Sequence, residues 1–136
     1  MGLILDTGVF IRAERENLGD PLSFAPISEE VGLSTITVSE LYEGVHLAKS
    51  LKRATERTEF IEQFALTLKV IDFTLAIART HAKLRARQRQ MGRMIGAHDL
   101  IIAATAISLG WEVLTYNAAE FRQIEGLVVR EVGEAA

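Results

Sequence analysis

The chain has 136 residues, 49% of them apolar and 24% charged, with a formal net charge of -3. That length predicts one domain, residues 1–136, able to bury a real core, and the composition is that of a globular protein. The absence of cysteine excludes disulfide frameworks and thiolate metal sites, no apolar run approaches the roughly 20 residues that span a bilayer, and the weak net acidity does not by itself point to a polyanion partner.

The start, "MGLILDTGVFI", has neither the basic region nor the small-residue cleavage site of a secretory signal, and Asp6 breaks the myristoylation pattern. The cytoplasm is the expected location. Charge is unevenly spread. Between Phe73 and His98 there is no acid, while Arg79, Lys83, Arg85, Arg87, Arg89 and Arg93 all fall there.

Taken in order, "GLIL" (2–5) reads as a short strand and "TGVFIRAERE" as a helix. The segment 15–32 holds both prolines and predicts a linker with a short helix. "LSTI" (33–36) reads as the second strand and "VSELYEGVHLAKS" as a helix, and "LKRATERTEFIEQFA" continues helical with Phe60, Ile61 and Phe64 inside. "LKVI" (68–71) is the third strand, followed by a basic helix from Thr74 to Gln90 and a break at "MGRMIG". A helix over 99–109, a strand "WEVLT" (111–115), a short helix near 118–123, a strand "LVVRE" (127–131) and a loose tail "GEAA" complete the chain. Strands alternating with helices predict an α/β fold with a parallel sheet covered on both faces.

Four polar side chains stand where strands hand over to helices or where helices begin: Asp6, Glu40, Asp99 and Asn117. In open α/β sheets, ligands bind at the carboxyl ends of strands near the point where strand order reverses. Each residue also reads as a helix cap. "TVSE" (Thr37 to Glu40) and "NAAE" (Asn117 to Glu120) have the form of capping boxes, and Asp72 after the third strand reads as a cap. Capping requires no convergence. If the acids do meet, they repel one another unless a cation neutralises them. With no cysteine and with histidines scattered at 46, 81 and 98, the natural occupant is a hard divalent ion, Mg2+ or Mn2+, rather than zinc.

"LDTGVFI", "TITVSELYEG", "IGAHDLIIAATAISLGWEVLT" and "TYNAAEF", in this order and spacing, resemble the PIN-domain ribonucleases and, among them, the VapC toxins of toxin–antitoxin pairs. The resemblance covers nearly the whole chain. It implies a single PIN-like domain with a parallel sheet of strand order 3-2-1-4-5, and metal-dependent hydrolysis of RNA phosphodiesters. It implies Asp6 and Asp99 as principal metal ligands, Glu40 as the third acid, and a bound Mg2+ or Mn2+. Asn117 stands where many members have aspartate, which leaves one carboxylate fewer; it is read as orienting water or a ligand. Glu120 has two readings, supplementing the site or, the favoured one, a capping or surface role. Thr7 and Thr115 have two readings, orienting carboxylates or water, or packing and backbone bonding.

A carboxylate, Glu40 or Asp99, is expected to accept the proton of the attacking water, and His98 is read as exposed rather than as a base. The basic helix has two readings, a solvated face without function, or an RNA or partner contact through Arg85, Arg87, Arg89 and Arg93. Apolar residues such as Phe10, Leu41, Tyr42, Val45 and Leu47 exceed one core face. The resemblance further implies a homodimer and a cognate antitoxin that would cover them, whereas periodicity alone reads the same residues as core. A haloacid-dehalogenase-type phosphatase would need an acid where Gly8 stands, and a receiver domain would need a lysine past a later strand end, whereas Lys69 begins its strand. The remaining alternative is a non-catalytic or weakened PIN-like module that binds RNA or protein.

Overall fold

A computed structural model of the chain describes residues 2–24, 29–93 and 95–133. β1 (Gly2–Leu5) leads into α1 (Thr7–Arg15), and a 3-10 turn (Pro21–Phe24) precedes β2 (Glu30–Ser34). Then come α2 (Thr35–His46), α3 (Leu51–Phe60) with a π-helical turn (Ile61–Ala65), β3 (Lys69–Ile71) and α4 (Leu75–Met91). α5 (Ala97–Leu109), β4 (Glu112–Thr115), α6 (Ala118–Phe121) and β5 (Val129–Glu131) follow. The five strands form one sheet of order β3-β2-β1-β4-β5, parallel at every pairing. The expected α/β architecture and strand order are therefore observed.

β1 lies at the centre and every residue of it is buried, which explains its unbroken apolar run. Its side chains alternate between two cores. Leu3 and Leu5 join Val9, Phe10, Leu33, Leu41 and Ile61 on one face, while Ile4 joins Ile102, Ala103, Ala106, Val113 and Phe121 on the other. Two glycines let the sheet close. A Cβ on Gly2 would stand 2.2 Å from the Trp111 ring, and one on Gly32 would stand 2.9 Å from the Lys69 carbonyl oxygen.

Several element boundaries differ from the sequence reading. β2 covers 30–34 rather than 33–36, because Glu30, Val31 and Gly32 pair with Gly2, Leu3 and Ile4 and the Ser34 hydroxyl accepts the Ile36 N–H at 3.1 Å. Ser34 thus starts α2 at Thr35, leaves Thr37 inside the helix, and dissolves the proposed Thr37–Glu40 capping box. α2 ends at His46, and a fresh cap at Ser50, accepting from the Arg53 N–H, starts α3. Asp72 is exposed and caps nothing; Thr74 takes that role with an accepted bond from the Ile77 N–H at 3.2 Å. Of the apolar residues assigned to partners, Phe10 and Leu41 are core, Tyr42 and Val45 pack partly against it, and only Leu47 is largely open, at 71% exposure. The end of the "GEAA" tail, 134–136, lies outside the described residues.

Candidate active site

Strand order reverses at β1, whose neighbours are β2 and β4, so the carboxyl ends of β1 and β4 flank a crevice. Asp6 is the first residue past β1. Its N–H donates to the Leu114 carbonyl at 3.0 Å, extending the β1–β4 ladder by one step and fixing where its side chain departs. It sits at the N-cap position of α1, yet its carboxylate makes no capping bond across the first turn. The Thr115 hydroxyl donates to Asp6 Oδ2 at 2.8 Å and accepts the Asn117 N–H at 2.9 Å. Asp6 and Asn117 are therefore linked through Thr115, not directly.

Glu40 reaches the crevice from the second turn of α2 rather than its first. Thr7 Oγ1 lies 2.7 Å from Glu40 Oε1 and 2.9 Å from Thr37 Oγ1. A carboxylate only accepts and a hydroxyl has one proton, so Thr7 donates to Glu40 and takes the proton of Thr37. Thr37, fully buried, thus orients the hydroxyl that orients Glu40. The sequence reading took Thr37 for a cap and missed this; the signal was the apolar setting of a threonine three positions before a glutamate. Glu40 Oε2 also lies 3.2 Å from His98 Nδ1, so His98, though half exposed, touches the site.

α5 starts at Ala97, two residues before Asp99, because Gly96 supplies its extended N-cap conformation. Asp99 therefore stands in the first helical turn and does not open the helix. A Cβ at Gly96 would lie 3.5 Å from Asp99 Oδ2, an ordinary van der Waals contact, so Gly96 stands directly beside the carboxylate. Glu120, half-buried, makes two hydrogen bonds at the rim of the crevice. Its Oε2 accepts from Asn117 Nδ2 at 2.6 Å and its Oε1 accepts the Gly96 N–H at 3.2 Å. The proposed Asn117–Glu120 capping box is replaced by this side-chain bond, since Asn117 makes no capping bond of its own. Asn117 instead holds a fourth carboxylate toward the crevice.

The electrostatics show that these acids converge. Burial pushes the Asp99 carboxyl up to about 7, and the charges of Asp6, Glu120 and Glu40 add to the rise, against a smaller opposing effect of His98. Burial likewise pushes Asp6 up; the Thr115 hydroxyl and the Thr7 amide oppose it, and Glu40 and Glu120 add to it. Among the described residues, no lysine or arginine forms an ion pair with any of the four acids. Nor, among the described residues, do three histidine, aspartate or glutamate groups stand close enough together to cage a metal unaided. The donor set is all oxygen and anionic. It suits a hard divalent cation held by one or two carboxylates and completed by water.

The basic helix divides in two. Arg87 is paired with Glu125, and Arg93 Nη1 donates to the Gln123 carbonyl at 3.2 Å. Arg85 and Arg89 instead line a groove of about 690 Å³ between α4 and the start of α5, with His81, Ile95, Gly96 and Leu100. Gly96, which lines this groove, lies next to the Asp99 carboxylate.

Residues 3–127 match the sequence profile described as PIN domain. The chain is 31% identical over 132 residues to the Ribonuclease VapC1 of Rickettsia felis, covering 97% of each. Its fold is similar to that of the Rickettsia felis VapBC2 structure bound to a DNA fragment from its promoter, with a TM-score of 0.83, 26% identity, and coverage of 96% of this chain and 98% of that one. It is also similar to VapBC-5 of Mycobacterium tuberculosis, a member of the VapBC family of toxin–antitoxin systems, with a TM-score of 0.76, 27% identity, and coverage of 97% and 98%.

Proposed function

The chain belongs to the PIN-domain family, among the VapC-type ribonucleases of toxin–antitoxin pairs, and on that premise we propose that it is a metal-dependent endoribonuclease that hydrolyses RNA phosphodiesters. The observation that carries this reading is the convergence of Asp6, Glu40, Asp99 and Glu120 at the carboxyl ends of the central strands without a basic ion-pair partner among the described residues. A bound cation would neutralise such a cluster and keep its carboxylates ionised as ligands, where like charges otherwise raise each other's pKa.

Asp6 and Asp99 are the residues that would hold Mg2+ or Mn2+, with Glu40 beside them as the third acid rather than a direct ligand. The ion, when bound, supplies a lowered pKa for coordinated water and neutralisation of phosphoryl charge. The chain's own groups do the rest. Thr115 fixes the rotamer of Asp6, and Thr7, backed by Thr37, fixes Glu40. Glu40 Oε2 takes the proton of the attacking water, and His98 Nδ1, 3.2 Å away, holds that carboxylate oxygen in place. Asn117 acts by orienting Glu120, which offsets the carboxylate that this chain lacks at position 117.

The partner in this reading is an antitoxin protein, supported by the VapBC complexes that share this fold. The surface it would cover is the cleft beside Glu40 lined by Phe10, Ile11, Leu41, Phe60 and Ile61. A homodimer and a cytoplasmic location belong to the same proposal; no helix among the described residues is long and apolar enough to cross a membrane.

The test is incubation of the purified chain with total bacterial RNA in Mg2+ or Mn2+, then in EDTA, beside Asp6→Asn. Discrete products that disappear in EDTA and in the variant are the expected result. A folded wild-type chain that cleaves nothing with either metal would replace the nuclease by a PIN-like binding module.

A further inference from the structure

We propose that Arg93 is a positioning residue of the active site: its bond to Gln123 clasps the chain between α4 and α5 onto the turn after α6, and the clasp sets where Asp99 stands. This deepens the nuclease reading and rests on it.

Two hydrogen bonds make the clasp. Arg93 Nη1 donates to the Gln123 carbonyl at 3.2 Å, and the Gly96 N–H donates to Glu120 Oε1 at 3.2 Å. The bonds are reciprocal. One segment offers the side chain of Arg93 and the backbone of Gly96, and the other offers the side chain of Glu120 and the backbone of Gln123. The spacing is three residues on each side, so the two ties act as a pair. Ile95 falls between the tied residues of one segment and Phe121 between those of the other, and both are buried in one hydrophobic cluster with Leu100 and Ile124. The shared core holds the segments together, and the ties stop them from sliding.

An exposed arginine touching a carbonyl ordinarily matters little. Here both ends are anchored. α4 closes in a Schellman turn: Gly92 is left-handed, with φ 65°, its N–H donates to the Arg89 carbonyl, and the Arg93 N–H donates to the Gln88 carbonyl. The backbone from which the Arg93 side chain departs is therefore set by α4. On the other side, the Gln123 N–H donates to the Glu120 carbonyl at 3.2 Å and the Ile124 N–H to the Phe121 carbonyl at 3.0 Å. The accepting carbonyl thus sits on a hydrogen-bonded turn.

α5 carries the consequence to the site. Gly96 is its N-cap residue, and the Gly96 carbonyl accepts the Leu100 N–H at 3.0 Å. Asp99 stands three residues on, in the first turn of a regular helix, so a shift of Gly96 is passed to its carboxylate. The same tie engages Glu120 Oε1, so loosening it moves two acids of the crevice at once. Groups that orient metal ligands without touching the ion are worth about 10–100-fold in metal affinity or rate. Arg93 belongs to that kind, acting through Gly96.

The test compares Arg93→Met, which keeps a stem and loses the donor, with Arg93→Lys, which keeps a donor. Exchange of the Gly96 amide proton in EDTA, read by NMR, reports the clasp itself. Calorimetric titration with Mg2+ reports the acids, and cleavage kinetics report the reaction. Arg93→Met should speed Gly96 exchange about tenfold. It should weaken Mg2+ binding about tenfold or more and lower kcat with KM unchanged. Arg93→Lys should restore all three. The clasp also predicts coupling. In Glu120→Ala, where the Gly96 N–H has already lost its acceptor, adding Arg93→Met should weaken Mg2+ binding by less than about twofold more.

Gly96 exchange and Mg2+ affinity within twofold of wild type in Arg93→Met overturn the clasp, as do fully additive losses in the double variant. Unchanged Gly96 exchange together with RNA binding in EDTA whose slope of log affinity against log salt flattens by about 0.7 makes Arg93 a phosphate contact instead. The two readings fail separately. If the wild type cleaves RNA with metal and Arg93→Met does so equally with Gly96 undisturbed, only the clasp falls. If Arg93→Met frees the Gly96 amide but the wild type never cleaves, only the nuclease falls.

Discussion

The Thr115 hydroxyl donates to Asp6 Oδ2 at 2.8 Å across 109 positions of sequence, and the same oxygen accepts the Asn117 N–H. One buried side chain thereby sets the rotamer of the first acid and the path of the chain leaving β4. Thr115→Val keeps the shape and removes both functions. The expected result is a rate loss of about 10–100-fold from a misplaced carboxylate, with a stability cost of about 1–3 kcal/mol. Thr115→Ser should keep both. Single-turnover cleavage and thermal melts of the three proteins decide it, and an unimpaired Thr115→Val enzyme would refute the positioning role.

Asp99 makes stability depend on pH in a defined direction. Its ordinary value is 3.8 and its folded value is about 7, so the folded chain holds a proton that the unfolded chain has already lost. The group's contribution is most favourable below its ordinary value, is lost as pH rises to about 7, and changes little above that. In EDTA at pH 8, Asp99→Asn should melt a few °C above wild type, since ~1 kcal/mol moves Tm by about 3–5 °C at this size. The gap should narrow toward pH 4. Added Mg2+ should raise the wild-type Tm and leave the variant unmoved.

Thr37 has no contact with the reacting groups but orders Thr7, which orders Glu40. Thr37→Val should lower kcat several-fold and leave KM unchanged, and Thr37→Ser should restore it. Thr7→Val should be the more damaging change, because it takes the donor from the carboxylate itself. Equal rates for Thr37→Val and wild type would reduce Thr37 to a packing residue.

Asn117 and Glu120 form a pair whose sense is tested by changing one amide. Asn117→Asp replaces a donor by a second carboxylate at 2.6 Å from Glu120 Oε2. In EDTA the variant should melt lower than wild type through repulsion, and Mg2+ should recover more of that loss than in wild type. Insensitivity to metal would show that Glu120 stands outside the ion's reach.

Gly2 and Gly32 test the sheet independently of the chemistry. Gly2→Ala drives a methyl into the Trp111 ring, and Gly32→Ala drives one into the Lys69 carbonyl. Each should cost about 1–3 kcal/mol by overpacking, with Gly32→Ala the worse where backbone must yield. Urea midpoints report this directly, and a neutral Gly32→Ala would mean that β2 and β3 can part at no cost.

The division between what was readable and what was not follows the range of the interactions. Apolar runs and their alternation with helical patterns are local, so Gly2–Leu5, Glu112–Thr115 and the long helices stood out, and the ordered motifs around Asp6, Glu40, Asp99 and Asn117 named the acids. Capping failed as a guide at Thr37, Asp72 and Asn117. Serine, threonine and asparagine satisfy a helix end or a distant carboxylate with the same atoms, and sequence does not say which partner arrives first. Strand pairing with β1 and β3 decided that β2 begins at Glu30, and the cap at Ser34 then moved Glu40 a turn deeper into α2.

By itself, then, the sequence determined the fold class, because composition and the alternation of strands and helices are properties of the chain. Through the family it resembles, it determined the strand order and three of the clustered acids, Asp6, Glu40 and Asp99. Only the tertiary structure decided which hydroxyl holds which carboxylate, that Glu120 bonds to Asn117 and Gly96, and that Arg85, Arg89 and Arg93 line the grooves beside the start of α5 while Arg87 pairs with Glu125. Those choices depend on side chains up to 109 positions apart being brought within 3 Å. No local pattern encodes them.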